Sequence, residues 1–316
     1  MTASAPDAAS GVPFRPRLFG PRYWPLWLGV GLMRAISLLP FPAIAALGSG
    51  IGGLARRLHA PRRRIVRRNL ELCFPELTPA QREDILRQHF RLVGQSLAAT
   101  GVTWWASQSR LAGLVRLHDR HYYDAALAAG RNVILLAPHF VALEVGGVVI
   151  SAERPVVSMY QYTKNALADA LVRRGRSRFG AELFERKGDM RTLIRAIRSG
   201  KPFYYLPDQD AGRRRGIFAP FFGVPASTYP MLGRFAQTAQ AVVIPCVTLL
   251  RPDGRGYDLR FYPALENFPT GDVLADTTAM NQFIEARVRE HPAQYFWLHK
   301  RFKTRPEGEP DIYATA

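Results

Sequence analysis

Four short apolar runs, separated by stretches of helical periodicity, constrain the fold of this chain more than any other feature. The runs are NVILLA at 132–137, PVVSMY at 155–160, PFYYLP at 202–207 and AVVIPCVTLL at 241–250. A strand that helices bury on both faces has such a continuous apolar sequence. Helical stretches lie between the runs, at 166–178, 189–199 and 228–240. Strands that alternate with helices predict an α/β fold with a largely parallel sheet flanked by helices.

The rest of the chain indicates one large catalytic domain at 59–316. The sequence Thr78–Gln81 is a capping-box pattern with proline at the first helical position, so a helix begins there. A helix around 276–290 precedes a basic C-terminal segment, WLHKRFKTRP. No linker divides this region into two domains. Residues 1–20 are rich in Ala, Pro and Gly, and we predict that they are disordered.

An apolar segment at 21–58 is predicted to anchor the chain to a membrane. Tyr23–Leu39 is apolar apart from Arg34, and the two prolines Pro40 and Pro42 interrupt the segment after Leu39. A helix that spans a bilayer needs about 20 consecutive apolar residues, so a spanning, a re-entrant and an interfacial helix all remain open. The aromatic residues at the start of the segment are typical of anchors at a membrane interface; they are Tyr23, Trp24 and Trp27.

Beyond the apolar segment lie seven arginines with no acidic residue among them: Arg56, Arg57, Arg62, Arg63, Arg64, Arg67 and Arg68. Cations beside an apolar segment favour contact with anionic lipid head groups and a cytoplasmic location. The alternative is a buried helix followed by a solvated basic loop. The net charge of +18 attracts anionic lipids, acidic proteins or nucleic acid. No nucleic-acid-binding motif accompanies the charge, so we expect no nucleic-acid partner.

A histidine and a glutamate, His139 and Glu144, directly follow the first strong strand. Functional side chains in open α/β sheets collect at the carboxyl ends of strands. On a continuous helix, five residues rotate the side chains by about 500° and keep them apart. The pair can therefore meet only if His139 lies in the turn and the helix begins after it. An imidazole can then take a proton from an alcohol while the carboxylate holds its other nitrogen. We predict that both residues are catalytic; the alternative is a pair that only satisfies local hydrogen bonds.

Arginines near a predicted strand–helix edge are candidates for substrate binding: Arg176, Arg178 and Arg186. A guanidinium there could bind phosphate or stabilise a thioester oxyanion, and a solvated basic face is the alternative. The Phe-rich stretch FAPFFGVP at 218–225 could line a channel for an acyl chain, although core packing is its default explanation.

Three polar residues, Asp208, Gln209 and Asp210, follow the apolar run at 202–207. We expect them at the same edge of the sheet as His139. No further carboxylate or histidine cluster accompanies the two acids, so hydrogen bonding or charge balance is favoured over a metal site.

Several segments in order resemble the lauroyl/myristoyl acyltransferases that complete lipid A in Gram-negative bacteria, within the wider glycerolipid acyltransferase superfamily. The resemblance covers about residues 20–310. Its segments are PRYWPLWLGVGL, RRRIVRRNLELCFPELT, LLAPHFVALEVGG, LFERKGDM, YYLPDQDAG, FAPFFGVPAST, AVVIPC and YFWLHKRFKTRPEG. RRNLELCFPE and WLHKRFKTRPEG are far more specific than the His-to-Glu spacing.

The resemblance implies a glycerolipid-acyltransferase-like fold with an N-terminal membrane-associated helix. The family's His and acidic motif matches His139 and Glu144, and the superfamily's second block matches Arg186. The third block matches Asp208–Asp210, and the fourth matches the region of Pro245. Relatives that acylate glycerol phosphates usually have a Pro-Glu-Gly-Thr type of third block. This chain has Pro-Asp-Gln-Asp, which favours the lipid A branch.

The resemblance also implies the reaction and its location. The donor would be an acyl thioester on acyl carrier protein, and the acceptor a hydroxyl of a Kdo-bearing lipid A precursor at the cytoplasmic face of the inner membrane. A thioester is already activated, so no enzyme nucleophile and no cofactor are expected. Both substrates are acidic, which suits a chain of net charge +18. The alternative is the same chemistry on another lysophospholipid or glycolipid.

Overall fold

The structure is a computed structural model that describes residues 16–186 and 188–314. The strands in this part of the chain are β1 Val115–His118, β2 Asn132–Leu136, β3 Val157–Tyr160, β4 Glu182–Glu185, β5 Phe203–Tyr205, β6 Ile217–Phe221, β7 Val224–Thr228, β8 Ala241–Leu250 and β9 Tyr257–Phe261. The α-helices there are α1 Trp24–Ile36, α2 Phe41–Leu58, α3 Ala60–Cys73, α4 Pro79–Trp105, α5 Gln108–Leu114, α6 His121–Ala128, α7 Leu143–Glu153, α8 Ala166–Arg176, α9 Met190–Arg198, α10 Leu232–Ala239 and α11 Val273–Glu290.

A seven-stranded sheet of order β1-β9-β8-β2-β5-β3-β4 organises the described residues. Neighbouring strands are parallel, except that β8 and β9 are antiparallel. The four apolar runs of the sequence are the four strands β2, β3, β5 and β8. The prediction of an α/β fold with a largely parallel sheet is confirmed.

Helices cover both faces of this sheet, which explains why the central strands are continuously apolar. Ile134 and Leu136 of β2 pack into a core with residues of α9, α10 and α11. Val133 and Leu135 point the other way and pack with residues of α6 and α7. Successive side chains of a strand alternate between its faces, so a strand covered on both sides must be apolar at every position.

The sequence pattern did not predict the edge strands β1 and β4, nor β9 and the hairpin β6–β7. Residues of β4 are partly exposed or exposed, as expected for the last strand of a sheet. Its sequence, ELFE, therefore lacks a continuous apolar run. The Phe-rich stretch forms the hairpin. Phe221 and Phe222 are buried in the main core, and no residue of 218–225 lines the large pocket beside His139, so the explanation by core packing is correct.

The predicted capping box at the start of α4 is present. The backbone N–H of Gln81 donates to Oγ1 of Thr78, and the backbone N–H of Thr78 donates to Oε1 of Gln81. This helix runs from Pro79 to Trp105 and supports the N-terminal helices α1 and α2.

The predicted N-terminal segment folds as two helices, α1 and α2, with a break before Phe41. Among the described residues, no helix is both long enough and apolar enough to cross a membrane. The spanning form of the predicted anchor is therefore not supported. Of the predicted disordered residues 1–20, residues 1–15 lie outside the described part, and Pro16–Phe19 form a short 3-10 helix.

The basic cluster after the apolar segment belongs to helices rather than to a loop. It occupies the last turn of α2 and most of α3. Part of it is paired, because Glu83 of α4 lies 3.5 Å from Arg56 and 2.9 Å from Arg67. Arg57 and Arg64 are exposed.

Glycines let α2 pack directly against α4. A Cβ atom on Gly52 would lie 1.9 Å from the carbonyl oxygen of Phe90, and one on Gly48 would lie 2.6 Å from Cα of Gln95. On α4, a Cβ on Gly94 would meet the carbonyl oxygen of Gly48 at 2.1 Å. Helix backbones can approach this closely only through residues without a side chain. Helix α2 is therefore packed tightly against α4.

We expect Gly52→Ala to destabilise the protein by about 1–3 kcal/mol or more, because the added methyl group would overlap backbone atoms of α4 that cannot move aside. The matched control is Gly53→Ala on the same helix, where a Cβ meets nothing within 4 Å. That change should be neutral or stabilising by up to about 1 kcal/mol, because alanine favours the helix. Chemical denaturation of both variants measures the difference. Equal stabilities would contradict this packing.

Candidate active site

The register of two neighbouring strands places a histidine beside an aspartate. Leu136 of β2 is paired with Tyr205 of β5, and the strands are parallel. His139 and Asp208 each follow their paired residue by three positions, and each comes directly after a proline. Equal extensions from paired positions of parallel strands end at the same place. The carboxyl ends of β2 and β5 therefore bring the two side chains together.

Asp208 holds His139 through two hydrogen bonds. Nδ1 of His139 donates to Oδ1 of Asp208 at 2.7 Å, and the backbone N–H of His139 donates to Oδ2 at 2.9 Å. Both carboxylate oxygens are therefore directed at the same residue. A proton held on Nδ1 leaves the lone pair of the neutral imidazole on Nε2. This is the form that a general base needs.

The carboxyl group of Asp208 is ionised although it is buried. Burial alone would raise its pKa, but the imidazole of His139, the two hydrogen bonds and the guanidinium of Arg301 outweigh burial and hold the pKa below its ordinary value. Such a group stabilises the positive charge that forms on the imidazole when it accepts a proton. Asp208 thus has the geometry and the charge of an orienting carboxylate.

Glu144 does not hold the imidazole of His139, as the sequence suggested it would. The helix α7 does begin after His139, at Leu143, as expected. The carboxylate of Glu144, however, binds the guanidinium of Arg176 at the end of α8, with Nε 2.9 Å from Oε2 and Nη2 in contact with Oε1. Position 144 lies in the first turn of α7, whereas the nitrogen Nδ1 of His139 faces Asp208, which follows β5. The predicted contact between His139 and Glu144 is therefore wrong, although both residues line one pocket.

Gln209 lies next to the other nitrogen of the imidazole. Its amide nitrogen is 2.9 Å from Nε2 of His139 and 2.9 Å from Nε2 of His299. Burial, with a smaller contribution from the neighbouring His139, lowers the pKa of His299 to about 4, so this second imidazole is neutral at ordinary pH. Gln209 was among the residues predicted from the sequence, whereas His299 was not, because it comes from a distant segment near the C-terminus.

Buried hydrogen bonds fix the segment that holds His299. The side-chain amide of Asn69, which is fully buried on α3, donates to the carbonyl oxygens of Trp297 and His299 at 2.8 Å each. The backbone N–H of Phe296 donates to the carbonyl oxygen of His139 at 2.8 Å. Two sequence segments thus contact each other next to His139, and they are the two most specific ones, RRNLELCFPE and WLHKRFKTRPEG.

A pocket of about 830 Å³ opens beside His139. Its apolar wall includes Gly147, Val148, Val156, Met159, Ala181 and Leu183. Val156 and Ala181 directly precede β3 and β4, so they lie at the opposite end of the strands from the histidine. The strand rise of about 3.3 Å per residue makes the wall from position 156 to position 161 about 17 Å long. An apolar cavity of this length suits an extended fatty acyl chain.

Two arginines stand at the polar end of this pocket, Arg186 and Arg215. The guanidinium of Arg186 lies 4.2 Å from the ring centre of Tyr229, and its Nη2 is buried without a hydrogen-bond partner in the described part of the chain. Burial, and then the charge of Arg215, lower the pKa of Arg186. A buried donor without a partner beside a second cation is suited to an anionic group of a substrate.

Two of the predicted binding residues lie elsewhere. Arg178 donates to the carbonyl oxygens of Thr103, at 2.8 Å, and Ala106, so it caps the end of α4 and does not line the pocket. Asp210 accepts hydrogen bonds from the backbone N–H and the hydroxyl group of Thr304, at 2.9 Å and 3.0 Å. This aspartate thereby holds the C-terminal segment in place.

The assembled groups can perform acyl transfer to a hydroxyl group. An oriented imidazole, a buried carboxylate and a long apolar cavity are what the reaction of an alcohol with an activated acyl group needs. One sequence signal could have revealed the correct carboxylate. The motifs Ala-Pro-His at 137–139 and Leu-Pro-Asp at 206–208 each place a proline and then a polar side chain at the end of an apolar run. Arg215 and the apolar wall had no comparable signal.

Comparisons with known proteins agree with this chemistry. The sequence profile of the family described as bacterial lipid A biosynthesis acyltransferase matches residues 12–304. Similar proteins include a lipid A biosynthesis lauroyltransferase of Escherichia coli (strain K12), which is 38% identical over 95% of this chain and 98% of the relative. A lipid A biosynthesis palmitoleoyltransferase of the same organism is 34% identical over 93% and 95% of the two chains. A lipid A biosynthesis myristoyltransferase, also of that organism, is 29% identical over 93% and 91%. The chain therefore belongs to the bacterial lipid A biosynthesis acyltransferase family and is an acyltransferase.

Proposed function

We propose that this protein transfers a laurate- or myristate-like acyl chain from acyl carrier protein to a hydroxyl group of a Kdo-bearing lipid A precursor. The observation that supports the proposal most is the His139–Asp208 pair at the mouth of the long apolar pocket. The names of the relatives support lipid A as the acceptor class. The transfer takes place at the cytoplasmic face of the inner membrane.

The reaction uses His139 first as a base and then as an acid. Nε2 takes the proton of the acceptor hydroxyl, and the oxygen attacks the thioester carbonyl to form a tetrahedral oxyanion. The carbon–sulfur bond then breaks, and the imidazolium returns the proton to the leaving thiolate. Asp208 stabilises the imidazolium throughout. Arg176, fixed by Glu144 at the pocket wall, is the candidate for the oxyanion. Glu144 thus contributes to the reaction indirectly, because it holds Arg176 in position.

The apolar pocket sets the length of the acyl chain. We expect Ala181→Leu to fill the end of the pocket that lies away from His139, because Ala181 lines the pocket and directly precedes β4. The preferred donor should become shorter, with activity on the longest native chain lowered by roughly tenfold, as expected for loss of one or two buried methylene groups. Mass spectrometry of the products from a mixture of acyl carrier protein thioesters measures the distribution. The control is Ala128→Leu, an exposed position on α6; an unchanged distribution in the Ala181 variant would contradict the assignment.

The arginines at the polar end bind anionic groups of the substrates. Arg186 and Arg215 are placed for a phosphate, which both the carrier's prosthetic arm and the lipid A precursor possess. The net charge of +18 further attracts the acidic carrier protein.

The N-terminal helices lie on the membrane surface. Large apolar side chains of this segment are exposed, with 76% of Leu28, 63% of Leu32, 55% of Leu54 and 75% of Leu58 accessible. Arg57, which is exposed, directly precedes Leu58 on α2, and α3 adds further exposed arginines. Apolar side chains flanked by cations suit an anionic bilayer interface, where the first penetrate and the second meet head groups.

We expect the double change Leu28→Glu and Leu32→Glu to weaken binding to vesicles that contain phosphatidylglycerol on the order of tenfold or more, because both side chains would lose their place in the bilayer. Folding should be unaffected, since both side chains are exposed. The matched control replaces Val273 and Leu274 at the start of α11, which are 53% and 51% exposed, with glutamate. Co-sedimentation measures binding. Equal binding of the two double variants would place the membrane contact elsewhere.

The acceptor and donor are tested directly with purified protein. A tetra-acylated, Kdo-bearing lipid A precursor and lauroyl or myristoyl thioesters of acyl carrier protein should give a penta-acylated product. Lysophosphatidic acid and other lysophospholipids serve as competing acceptors. Transfer only to these glycerol phosphates would overturn the proposed acceptor while leaving the acyltransferase chemistry in place.

A further inference from the structure

The amide group of Gln209 donates to two imidazoles at once. Its nitrogen is 2.9 Å from Nε2 of His139 and 2.9 Å from Nε2 of His299. An amide nitrogen of this kind is a donor only, so both imidazole nitrogens must accept. Each imidazole therefore has its proton on Nδ1. For His139 this agrees with the bond to Asp208.

His299 accepts the other hydrogen bond of this amide. Its pKa of about 4, lowered by burial and by His139, keeps it neutral, so its ring has one nitrogen that can accept. The amide nitrogen of Gln209 lies 2.9 Å from Nε2, which makes Nε2 that acceptor. The loop of His299 is held by Asn69, and its ring packs 4.8 Å from that of Phe296. A carbonyl oxygen of Gln209 in the position of this nitrogen would meet the lone pair on Nε2 of His139, because Asp208 holds the proton of that ring on Nδ1. The N–H groups therefore point at both rings.

The second N–H of Gln209 thus occupies the only lone pair with which His139 can act as a base. We propose that Gln209, which also donates to His299, is a positioning residue that caps the base until an acceptor hydroxyl displaces it. The inference rests on the proposed role of His139 as general base. An imidazole nitrogen with one lone pair can accept from the amide or from a hydroxyl, but not from both.

Such a cap protects the thioester from water. A water molecule deprotonated by His139 would attack the carbonyl carbon, break the carbon–sulfur bond and yield a free fatty acid and the carrier thiol. A lipid acceptor gains binding free energy from parts remote from its hydroxyl group, and part of this free energy can offset the cost of displacing the Gln209 amide from Nε2 of His139. A water molecule has no such parts and gains no compensating binding free energy. The hydrogen bond from Gln209 therefore favours transfer over hydrolysis.

The first experiment uses Gln209→Met, which keeps the length of the side chain and removes the donor. The ratio of thioester hydrolysis to acyl transfer should rise roughly fivefold, the effect of one neutral hydrogen bond. The matched control is Gln88→Met, an exposed amide on α4 that binds Asp84 and lies outside the pocket; its ratio should stay that of the wild type. Hydrolysis and transfer that fall together in the Gln209 variant would indicate a structural role and overturn the inference.

Two further variants keep the test decisive if Gln209→Met folds poorly. Gln209→Glu offers a carboxylate that accepts from the imidazolium, so the acid limb of kcat/KM should move to higher pH by roughly one unit. His299→Phe keeps the ring packing but removes the second acceptor, so the hydrolysis ratio should rise without a shift of that limb. If the acid limb of kcat/KM does not move in Gln209→Glu and the ratio of hydrolysis to transfer does not rise in His299→Phe, the proposed cap is rejected. Retained transfer after loss of His139 would instead reject the base itself.

Discussion

Replacement of Asp208 with asparagine is expected to lower kcat/KM for acyl transfer by about 10³- to 10⁴-fold. The backbone N–H of His139 needs an oxygen, so the amide oxygen of the new side chain would stay there. The NH₂ group would then face Nδ1, which must become an acceptor. The proton of the imidazole moves to Nε2 in consequence, and the lone pair is no longer available to the acceptor hydroxyl.

The matched control for this change is Asp276→Asn. Asp276 is also a buried aspartate that accepts two hydrogen bonds, from the backbone and the hydroxyl group of Thr270, both at 2.8 Å, but it lies at the start of α11 and not in the pocket. Its variant should lose stability and keep turnover of the folded fraction. Glu144→Gln separates the two carboxylates. A loss of about 10³-fold in that variant, with Asp208→Asn near wild type, would show that Glu144 orients the histidine.

Replacement of His139 with alanine is expected to lower turnover by about 10²-fold or more, because the acceptor hydroxyl loses its general base. Binding of both substrates should change little, since the pocket walls stay in place. Single-turnover transfer from a radiolabelled carrier thioester measures the chemical step, and circular dichroism checks the fold.

The double variant of His139 and Asp208 gives the sharper result. Residues that act as one unit have strongly non-additive effects, so the double change should cost little more than the worse of the single changes. Multiplication of the two losses would mean that the groups act independently, against the hydrogen bond of 2.7 Å between them.

The fold was largely predictable because its signals are local and repeated. Continuous apolar runs marked the four central strands, since each is covered on both faces. The capping box at Thr78 marked the start of α4. Edge strands such as β4 were not predicted, because partial exposure removes the continuous apolar run. The N-terminal segment was predicted to be an anchor from its hydropathy, but whether its helices span, lie on a membrane or pack on α4 depends on contacts that hydropathy does not describe.

The residues of the candidate site were likewise predictable where their signals are local and unpredictable where they depend on distant contacts. His139 was identified because its chemistry and its place after an apolar strand are visible in the sequence. Arg186 was identified because it lies in a basic stretch and matches a block of the superfamily, and Gln209 came with the acids beside it. The orienting carboxylate was assigned to Glu144 because it is near in sequence. The structure gives that place to Asp208, which is 69 residues away.

The alternation of strands and helices, the positions of the residues with acid–base or charged side chains, and the family could all be inferred from the sequence. These follow from local periodicity and from motifs. Which of those residues contact each other depends on the three-dimensional packing. The pairing of β2 with β5 brings Asp208 to His139, and the buried amide of Asn69 brings in His299. Such contacts depend on strand order and register, and these result from the packing of the whole chain rather than from any short stretch of it.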